Sequence, residues 1–285
     1  MKFFGMVSTR TSAAYTPYAI KSFLDWTALE KDDRFYLIDN DGGVDAGFSN
    51  PAITLIRHPS PLGFAANVNQ IMRLAKEHEA DLYFLNNDII FTPHWLEPLA
   101  AAGPGICSPA SNFHFGYRTR DLVCGKFMDL ADYIGHERDL NAIAAEHARR
   151  NRQLVRQFMV WFFCIRIPFA VYSVVGELDE NFGPGGGEDA DYCLRCHLLD
   201  IPVCTAGGSF VLHFVGKSTW RDGRPAEDQA ARVLALRKVF VDKWGTSLAD
   251  MALEEKCGVL DTDPALRAAF ERGNYRRLIE SLRSR

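Results

Sequence analysis

The chain has 285 residues, 47% of them apolar and 24% charged, with a formal net charge of −4. That composition fits a globular protein with a sizeable core, and it excludes the global positive field that would draw a chain to nucleic acid. No window reaches the roughly 18 uninterrupted apolar residues of a membrane span, and the most apolar stretch, from Phe158 to Val175, is broken by Arg166 and Pro168.

Apolar runs and turn residues alternate along the first third of the chain. Phe3 to Val7 reads as a buried strand, and Ser8-Thr9-Arg10-Thr11-Ser12 as a polar loop. Pro17 to Leu29 has helical spacing, with Ile20, Phe23, Leu24 and Ala28 on one face. Phe35 to Ile38 is a second strand, ending in the turn-rich Asp39-Asn40-Asp41-Gly42-Gly43, and Ile53 to Ile56 is a third. Pro61-Leu62-Gly63 leads into a helix over Ala65 to Lys76, and Leu82 to Leu85 is a fourth strand. This alternation predicts an α/β, Rossmann-like, doubly wound and mostly parallel sheet. Such sheets bind ligands at the carboxyl ends of their strands, where Ser8 to Arg10, Asp39 to Asp41 and Asn86 to Asp88 fall.

From residue 113 to about 157 the alternation breaks, which predicts an insertion made of a loop and a helix from about Glu137 to Gln157. Phe158 to Ile165 resumes as a strand, Phe169 to Val175 as a short helix, and Phe210 to Leu212 as a strand leading into His213. From Pro225 the chain is helical, with Val233, Leu236, Val239, Phe240 and Trp244 on one face. Two units are expected: residues 1–222 as the ligand-binding domain with its insertion, and 223–285 as a helical extension packing on that domain or on a partner.

Three polar segments stand out. Leu85-Asn86-Asn87-Asp88 closes a buried strand, where a carboxylate is costly unless it is paired or bound to a metal. Gly185-Gly186-Gly187 runs into Glu188, Asp189 and Asp191, a helix start whose first turn presents carboxylates that complement its dipole. One of them within reach of an attacking hydroxyl is a general base. Arg195, four residues after Asp191, is placed for a same-face ion pair. His213 is the third element. Alone it reads as a satisfied core histidine; with Asp88 and a diphosphate it is suited to complete the ligand set of a Mn2+ or Mg2+ ion. Lys217 and Ser218 follow it and are suited to hold a diphosphate. Asp39 is suited to accept the ring N–H of uracil, thymine or guanine, with Thr9 and Arg10 lining the same pocket.

Other features carry less. Cys193-Leu194-Arg195-Cys196-His197 has the spacing of a c-type haem attachment, but nothing suggests export, and no second cysteine pair stands at zinc-ligand spacing. The cysteines read as small apolar residues on a helix. Arg149, Arg150, Arg152 and Arg156 form one basic run, and Arg276, Arg277, Arg283 and Arg285 another. Such runs usually form a solvated helix face, and their sharper meaning is peripheral contact with anionic lipid or an anionic acceptor. The start, Met1 to Val7, is too short for a signal-peptide core. The expected location is therefore cytoplasmic, at most peripheral at the inner face of the membrane, with the seven cysteines reduced.

In the order of its motifs, from Val7-Ser8-Thr9-Arg10 and Ile38-Asp39-Asn40, through Leu62-Gly63-Phe64-Ala65-Ala66-Asn67 and Leu85 to Asp88, to Val175–Phe182, Gly187–Asp191 and His213–Ser218, the chain resembles the family 2 glycosyltransferases of the GT-A fold, particularly the rhamnosyltransferase-like bacterial members. The resemblance covers roughly Phe3 to Thr219 outside the insertion. It implies donor binding by Ser8, Thr9, Arg10, Asp39, Asn40, Gly63, Asn67, Asn86 and Asn87. It implies a metal carboxylate at Asp88, a second metal ligand at His213, and a catalytic base at Asp189 within the Glu188-Asp189 motif. One departure is that the first carboxylate of the family's DXD segment is Asn86, which supplies no charge. The processive synthases of the family carry a Gln-x-x-Arg-Trp motif and membrane spans; neither appears here, so transfer of one sugar at a time is expected.

The implied activity is inverting, metal-dependent transfer from a nucleotide-diphosphate sugar, UDP- or dTDP-linked, to a hydroxyl of a glycan or a lipid-linked saccharide. A sugar-nucleotide pyrophosphorylase would carry a glycine- and lysine-rich signature near the first strand, and Ser8-Thr9-Arg10-Thr11 does not supply one. A non-catalytic nucleotide-sugar-binding or scaffold protein is the other alternative, and Asp88, Asp189 and His213 argue against it.

Overall fold

The computed structural model describes residues 1–112, 127, 129–217 and 226–283. Its first half follows the alternation read from the sequence. Strand β1 (Lys2–Ser8) leads through a short 3-10 turn to helix α1 (Thr16–Trp26), then β2 (Arg34–Asp39), β3 (Thr54–Arg57), α2 (Phe64–Lys76) and β4 (Asp81–Asn86). Helix α1 stops three residues before the expected end. Thr27 is extended there, and its hydroxyl accepts from the buried Trp95 indole N–H at 3.0 Å.

After β4 come β5 (Ile89–Phe91), α3 (Leu96–Ala100), β6 (Ile106–Ser111), α4 (Leu130–Tyr133), α5 (Glu137–Arg150) and β7 (Leu154–Arg156). Then follow β8 (Cys164–Ile167), α6 (Phe169–Val175), α7 (Glu188–Leu198) and β9 (Val203–His213). Helices α8 (Ala226–Trp244), α9 (Thr246–Glu254), α10 (Gly258–Thr262), α11 (Pro264–Glu271) and α12 (Tyr275–Arg283) close the chain.

Among the described residues the strands form one nine-stranded sheet in the order β3-β2-β1-β4-β8-β6-β9-β5, with β7 added against β9. The pairs β1–β2, β2–β3, β1–β4 and β6–β9 are parallel. Strand β8 runs antiparallel to both β4 and β6, while β5 and β7 run antiparallel to β9. The α/β, mostly parallel expectation therefore holds, with a mixed second half.

Successive residues of the central strands point to opposite faces, and both faces are covered. Phe3, Leu82 and Phe84 lie in one core with α2, α7 and the C-terminal helices, while Phe4, Tyr83 and Leu85 lie in a second with α1 and the α3 region. Burial on both faces explains why these strands read as continuous apolar runs.

Four expectations need correction. The inserted helix ends at Arg150, not near Gln157: Asn151 leaves helical geometry, its side chain donates to the His147 carbonyl at 3.1 Å, and 154–156 pair with β9. The strand expected over 158–165 begins only at Cys164, where antiparallel pairing with Leu85 sets the register. Strand β6 was not foreseen because it contains Pro109, which sits at a register shift in the β6–β9 ladder. Val233, expected on the buried face of α8, is 45% exposed, although Leu236, Phe240 and Trp244 are buried.

One buried carboxylate ties α7 to the C-terminal helices, within the apolar core they share with the sheet. Asp191 is fully buried; it accepts from Arg195 Nε at 2.9 Å and from the Trp244 indole N–H at 2.8 Å, and lies 2.7 Å from Lys243 Nζ. Removing it strands the buried indole N–H, while Lys243 keeps Asp179 at 2.6 Å and Arg195 keeps the Val175 and Glu177 carbonyls, a loss worth roughly 1–3 kcal/mol. Asp191→Ala is expected to lower unfolding free energy by about that amount in a urea titration; a change below about 0.5 kcal/mol would show that the helices are held by apolar contact alone.

Candidate active site

The sharp turn from β4 into β5 places Asn87 and Asp88 at the carboxyl edge of the sheet. Asn87 turns inward: its Nδ2 donates to Ser12 Oγ at 2.7 Å and Thr16 Oγ1 at 2.8 Å, and Thr16 Oγ1 also meets Ser8 Oγ at 2.8 Å. Ser8 and Asn87 are thus tied into a buried polar network beneath the site. Asp88 turns the other way. Strands β5 and β9 pair with Ile89 opposite His213, and the Phe214 N–H donates to the Asp88 carbonyl at 3.0 Å. That register brings His213 Nε2 to 3.5 Å from Asp88 Oδ1.

Both groups are almost wholly buried. Asp88 Oδ1 and both ring nitrogens of His213 have no hydrogen-bond partner. The imidazole lies flat on Phe163, ring centroids 4.7 Å apart. Val215 and Gly216 adopt left-handed φ and turn the chain so that the Lys217 N–H donates to Asp88 Oδ2 at 3.1 Å. Burial by itself would raise the Asp88 carboxyl; the His213 imidazole and the Lys217 N–H outweigh it and hold the group below the usual carboxylate range.

Two unpartnered donor atoms at this spacing fit adjacent ligands of one divalent cation, and a carboxylate oxygen with an imidazole nitrogen suits Mn2+. Among the described residues no cluster of three or more His, Cys, Asp or Glu side chains surrounds such a position. The remaining ligands would have to come from a bound anion and water.

The same cavity, of about 520 Å³, receives the acidic motif. Gly185, Gly186 and Gly187 have φ of 131°, 129° and 102°, a turn that side-chain-bearing residues rarely adopt, and α7 starts directly after it. Glu188 accepts from the Gly186 N–H, and α8 holds the loop from outside, Arg232 Nη2 donating to the Gly185 carbonyl at 3.1 Å. Burial raises the Glu188 carboxyl to about 8, with the neighbouring Asp189 charge adding to the effect. Burial also raises Asp189 above its ordinary range. Asp189 keeps partial exposure and faces the cavity, with Oδ1 accepting from the Ala190 N–H at 2.7 Å. A partly exposed carboxylate of raised basicity has the properties of a proton acceptor.

Asn86, Asp88, Glu188, Asp189 and His213 thus share one cavity. The other donor-binding residues expected from the sequence are not among the described residues that line it. Asp39 Oδ1 accepts from the N–H groups of Gly42, Gly43 and Val44 at 2.9, 2.8 and 3.3 Å, and Oδ2 pairs with Arg57. Asn40 clamps Leu62, accepting from its N–H at 2.9 Å and donating to its carbonyl at 3.0 Å. Gly63 passes so close to Gly183 that a Cβ would stand 2.0 Å from its carbonyl oxygen. Asn67 Nδ2 donates to the Gly63 carbonyl at 2.9 Å. Thr9 Oγ1 meets Ser12 Oγ at 2.8 Å, and the exposed Arg10 is anchored through its N–H to Asp41 at 2.7 Å. Lys217 Nζ reaches Asp129 at 3.1 Å. Ser218 lies outside the described residues.

Sequence reasoning missed the far wall. Met159, Trp161 and Phe64 line it, and α8 and α9 add Leu236, Leu253 and the ion pair Arg237–Glu254, 2.6 Å apart. The aromatic run Trp161-Phe162-Phe163 was the available signal. Phe162 and Phe163 are buried, whereas Trp161 is half-buried at the cavity. The Cys193–His197 string is structural: both thiols are buried, and His197 donates to the Phe158 carbonyl at 2.9 Å.

No family model matches the chain, and no curated protein matches it. Solved structures do. GalNAc-T7, with UDP, GalNAc and Mn2+, aligns over 88% of this chain and 49% of its own at TM-score 0.54 and 12% identity. The chain therefore spans about half the length of that structure. S. aureus TarS 1-349 aligns over 100% of this chain and 92% of its own at TM-score 0.51 and 13% identity; its complex with UDP-GlcNAc covers 90% and 71% at TM-score 0.50 and 12% identity. These likenesses define the class of fold: a GT-A, Rossmann-like α/β domain, as in these glycosyltransferase structures.

Glu188 has a folded pKa above its unfolded value, so its contribution to stability is complete at acid pH and is lost as pH rises through about 8. Glu188→Gln is therefore expected to raise Tm relative to the native protein near pH ~9 by about 2–4 °C per kcal/mol relieved, and to give no such gain near pH ~5, close to the ordinary glutamate range. Equal effects at both pH values in a thermal melt would show that Glu188 does not titrate in this window.

Proposed function

We propose that the protein is an inverting, metal-dependent glycosyltransferase that moves one sugar from a UDP- or dTDP-sugar to a hydroxyl of a glycan or lipid-linked acceptor. The observation that carries this reading is the meeting of Asp88, His213 and Asp189 in one cavity, the first two with partnerless buried atoms 3.5 Å apart. The UDP, UDP-GlcNAc and Mn2+ present with the structural neighbours support the same reading.

Asp88 and His213 are the residues that would hold the cation. A bound divalent ion supplies positive charge against the departing diphosphate. Asn86 offers an amide to the donor at the same strand end, and Lys217 and Ser218 follow His213 as diphosphate contacts. The nucleoside falls to the loops of Ser8 to Arg10 and Asp39-Asn40, where the Asp39 carboxylate is fixed in place by the 42–44 amides and Arg57. Asp189 takes the proton of the acceptor hydroxyl as its oxygen bonds the anomeric carbon and the bond to the diphosphate breaks. Base and leaving group stand on opposite faces of the sugar, so the configuration inverts. Burial keeps Asp189 a stronger base than a solvated aspartate. The domain arrangement goes with this reading: 1–222 holds donor and base, and 223–285 walls the acceptor side.

A thermal-shift panel of nucleoside diphosphates with and without Mn2+ tests the reading directly; stabilisation by UDP or dTDP that requires Mn2+ is expected, and none by any diphosphate would overturn it. Asp88→Ala is expected to weaken Mn2+-dependent nucleotide binding by about tenfold or more in calorimetry. Asp189→Asn should leave that affinity within about threefold while cutting turnover by roughly 10²–10⁴; near-native turnover in this variant would remove Asp189 from the role of base.

A further inference from the structure

The two arginine runs noted in the sequence lie more than a hundred residues apart, yet the fold brings one end of each to the same place. Arg156 closes β7, and Arg272 and Arg276 flank the turn between α11 and α12. All three line a second cavity of about 240 Å³, together with Asp200, Asn274 and the edge of His197. This cavity shares no lining residue with the larger one.

Charge compensation is uneven among these arginines and their neighbours. Arg149 and Arg150 pair with Glu146 on α5. Arg276 pairs with Asp200 at 2.6 Å and Glu280 at 3.0 Å. Arg156 and Arg272 have no ion pair among the described residues, although both are exposed at the cavity mouth. Three guanidinium groups thus face one carboxylate in the lining. His197 adds no charge: burial pushes it down to about 4. Asn274, at the start of α12, donates no charge either, but its Oδ1 accepts from the Arg277 N–H at 3.3 Å and fixes the turn. With no carboxylate on Arg156 or Arg272 among the described residues, their charge is left to water or to a bound anion.

We propose that this cavity, at the junction of β7, α7 and the α11–α12 turn, binds a phosphate or diphosphate group through Arg156 and Arg272. The planar fork of guanidinium matches phosphate oxygens in pairs. The cavity is smaller than the roughly 300–1,000 Å³ that encloses a drug-sized ligand, so it fits the anionic group and leaves the bulk of the molecule outside. The site is independent of the glycosyltransferase reading. It is adjacent in the chain to the wall of the larger cavity, since Arg156 precedes Met159 and Trp161, and His197 holds the carbonyl of Phe158 between them.

Isothermal titration of the full chain with inorganic pyrophosphate, in EDTA so that no divalent ion serves the Asp88–His213 pair, tests the proposal against the double variant Arg156→Gln/Arg272→Gln. Both side chains are exposed, and an unchanged Tm will show that the variant folds. Saturable binding by the native chain and at least a tenfold loss in the double variant are expected. Co-sedimentation with vesicles of phosphatidylcholine, with and without phosphatidic acid, then locates the phosphate. Phosphatidic-acid-dependent binding lost in the double variant supports a lipid headgroup, and pyrophosphate binding without vesicle binding supports a soluble ligand. Equal pyrophosphate affinity in both proteins, or no affinity for either probe, would overturn the proposal.

Discussion

The larger cavity is organised by one buried contact, the Asp88 carboxylate facing the His213 imidazole across the β5–β9 pair. A carboxylate removed from water is unfavourable unless something answers its charge. Here the answer is partial: one oxygen takes the Lys217 N–H, while the other and the imidazole nitrogens are left without hydrogen bonds. Buried polar atoms are almost always satisfied, so an arrangement that leaves three of them together is costly and needs support. The ladder supplies it. Ile89 opposite His213, and the Phe214 N–H on the Asp88 carbonyl, fix the backbones, and Phe163 fixes the ring.

The acidic motif depends on a different constraint. The helix that carries Glu188 and Asp189 is anchored by Asp191, whose partners Trp244 and Lys243 belong to α8. Arg232, also on α8, holds the glycine turn. The C-terminal helices therefore set the exclusion of water that raises both carboxyls. A structure that shares only the sheet with this chain need not share this environment, and at 12–13% identity the likeness to GalNAc-T7 and TarS is one of fold.

The segment between β7 and β8 links these parts. Its residues leave the sheet at Arg156 and rejoin it at Cys164, and between those points they supply an arginine to one cavity and Met159 and Trp161 to the other. Among the described residues no helix is long and apolar enough to cross a membrane.

Local sequence determined the first four strands, α2, α6 and the start of α7, because each is an apolar run of the right period bounded by turn residues. It also marked Asp88, Asp189 and His213, since a carboxylate or imidazole beside a buried strand or a glycine turn demands a partner. The i to i+4 spacing of Asp191 and Arg195 was legible for the same local reason. Tertiary structure decided what depends on distant neighbours. Strand β6 hides behind Pro109 and exists because β8 and β9 flank it; β7 replaces the end of a helix because β9 offers an edge; and 158–163 is a cavity wall because pairing with β4 starts only at Cys164. Which turn polar groups shape loops, as Asp39, Asn40 and Asn87 do, and which arginines converge, as Arg156 and Arg272 do, follows from packing between segments far apart in the chain, which no local pattern encodes.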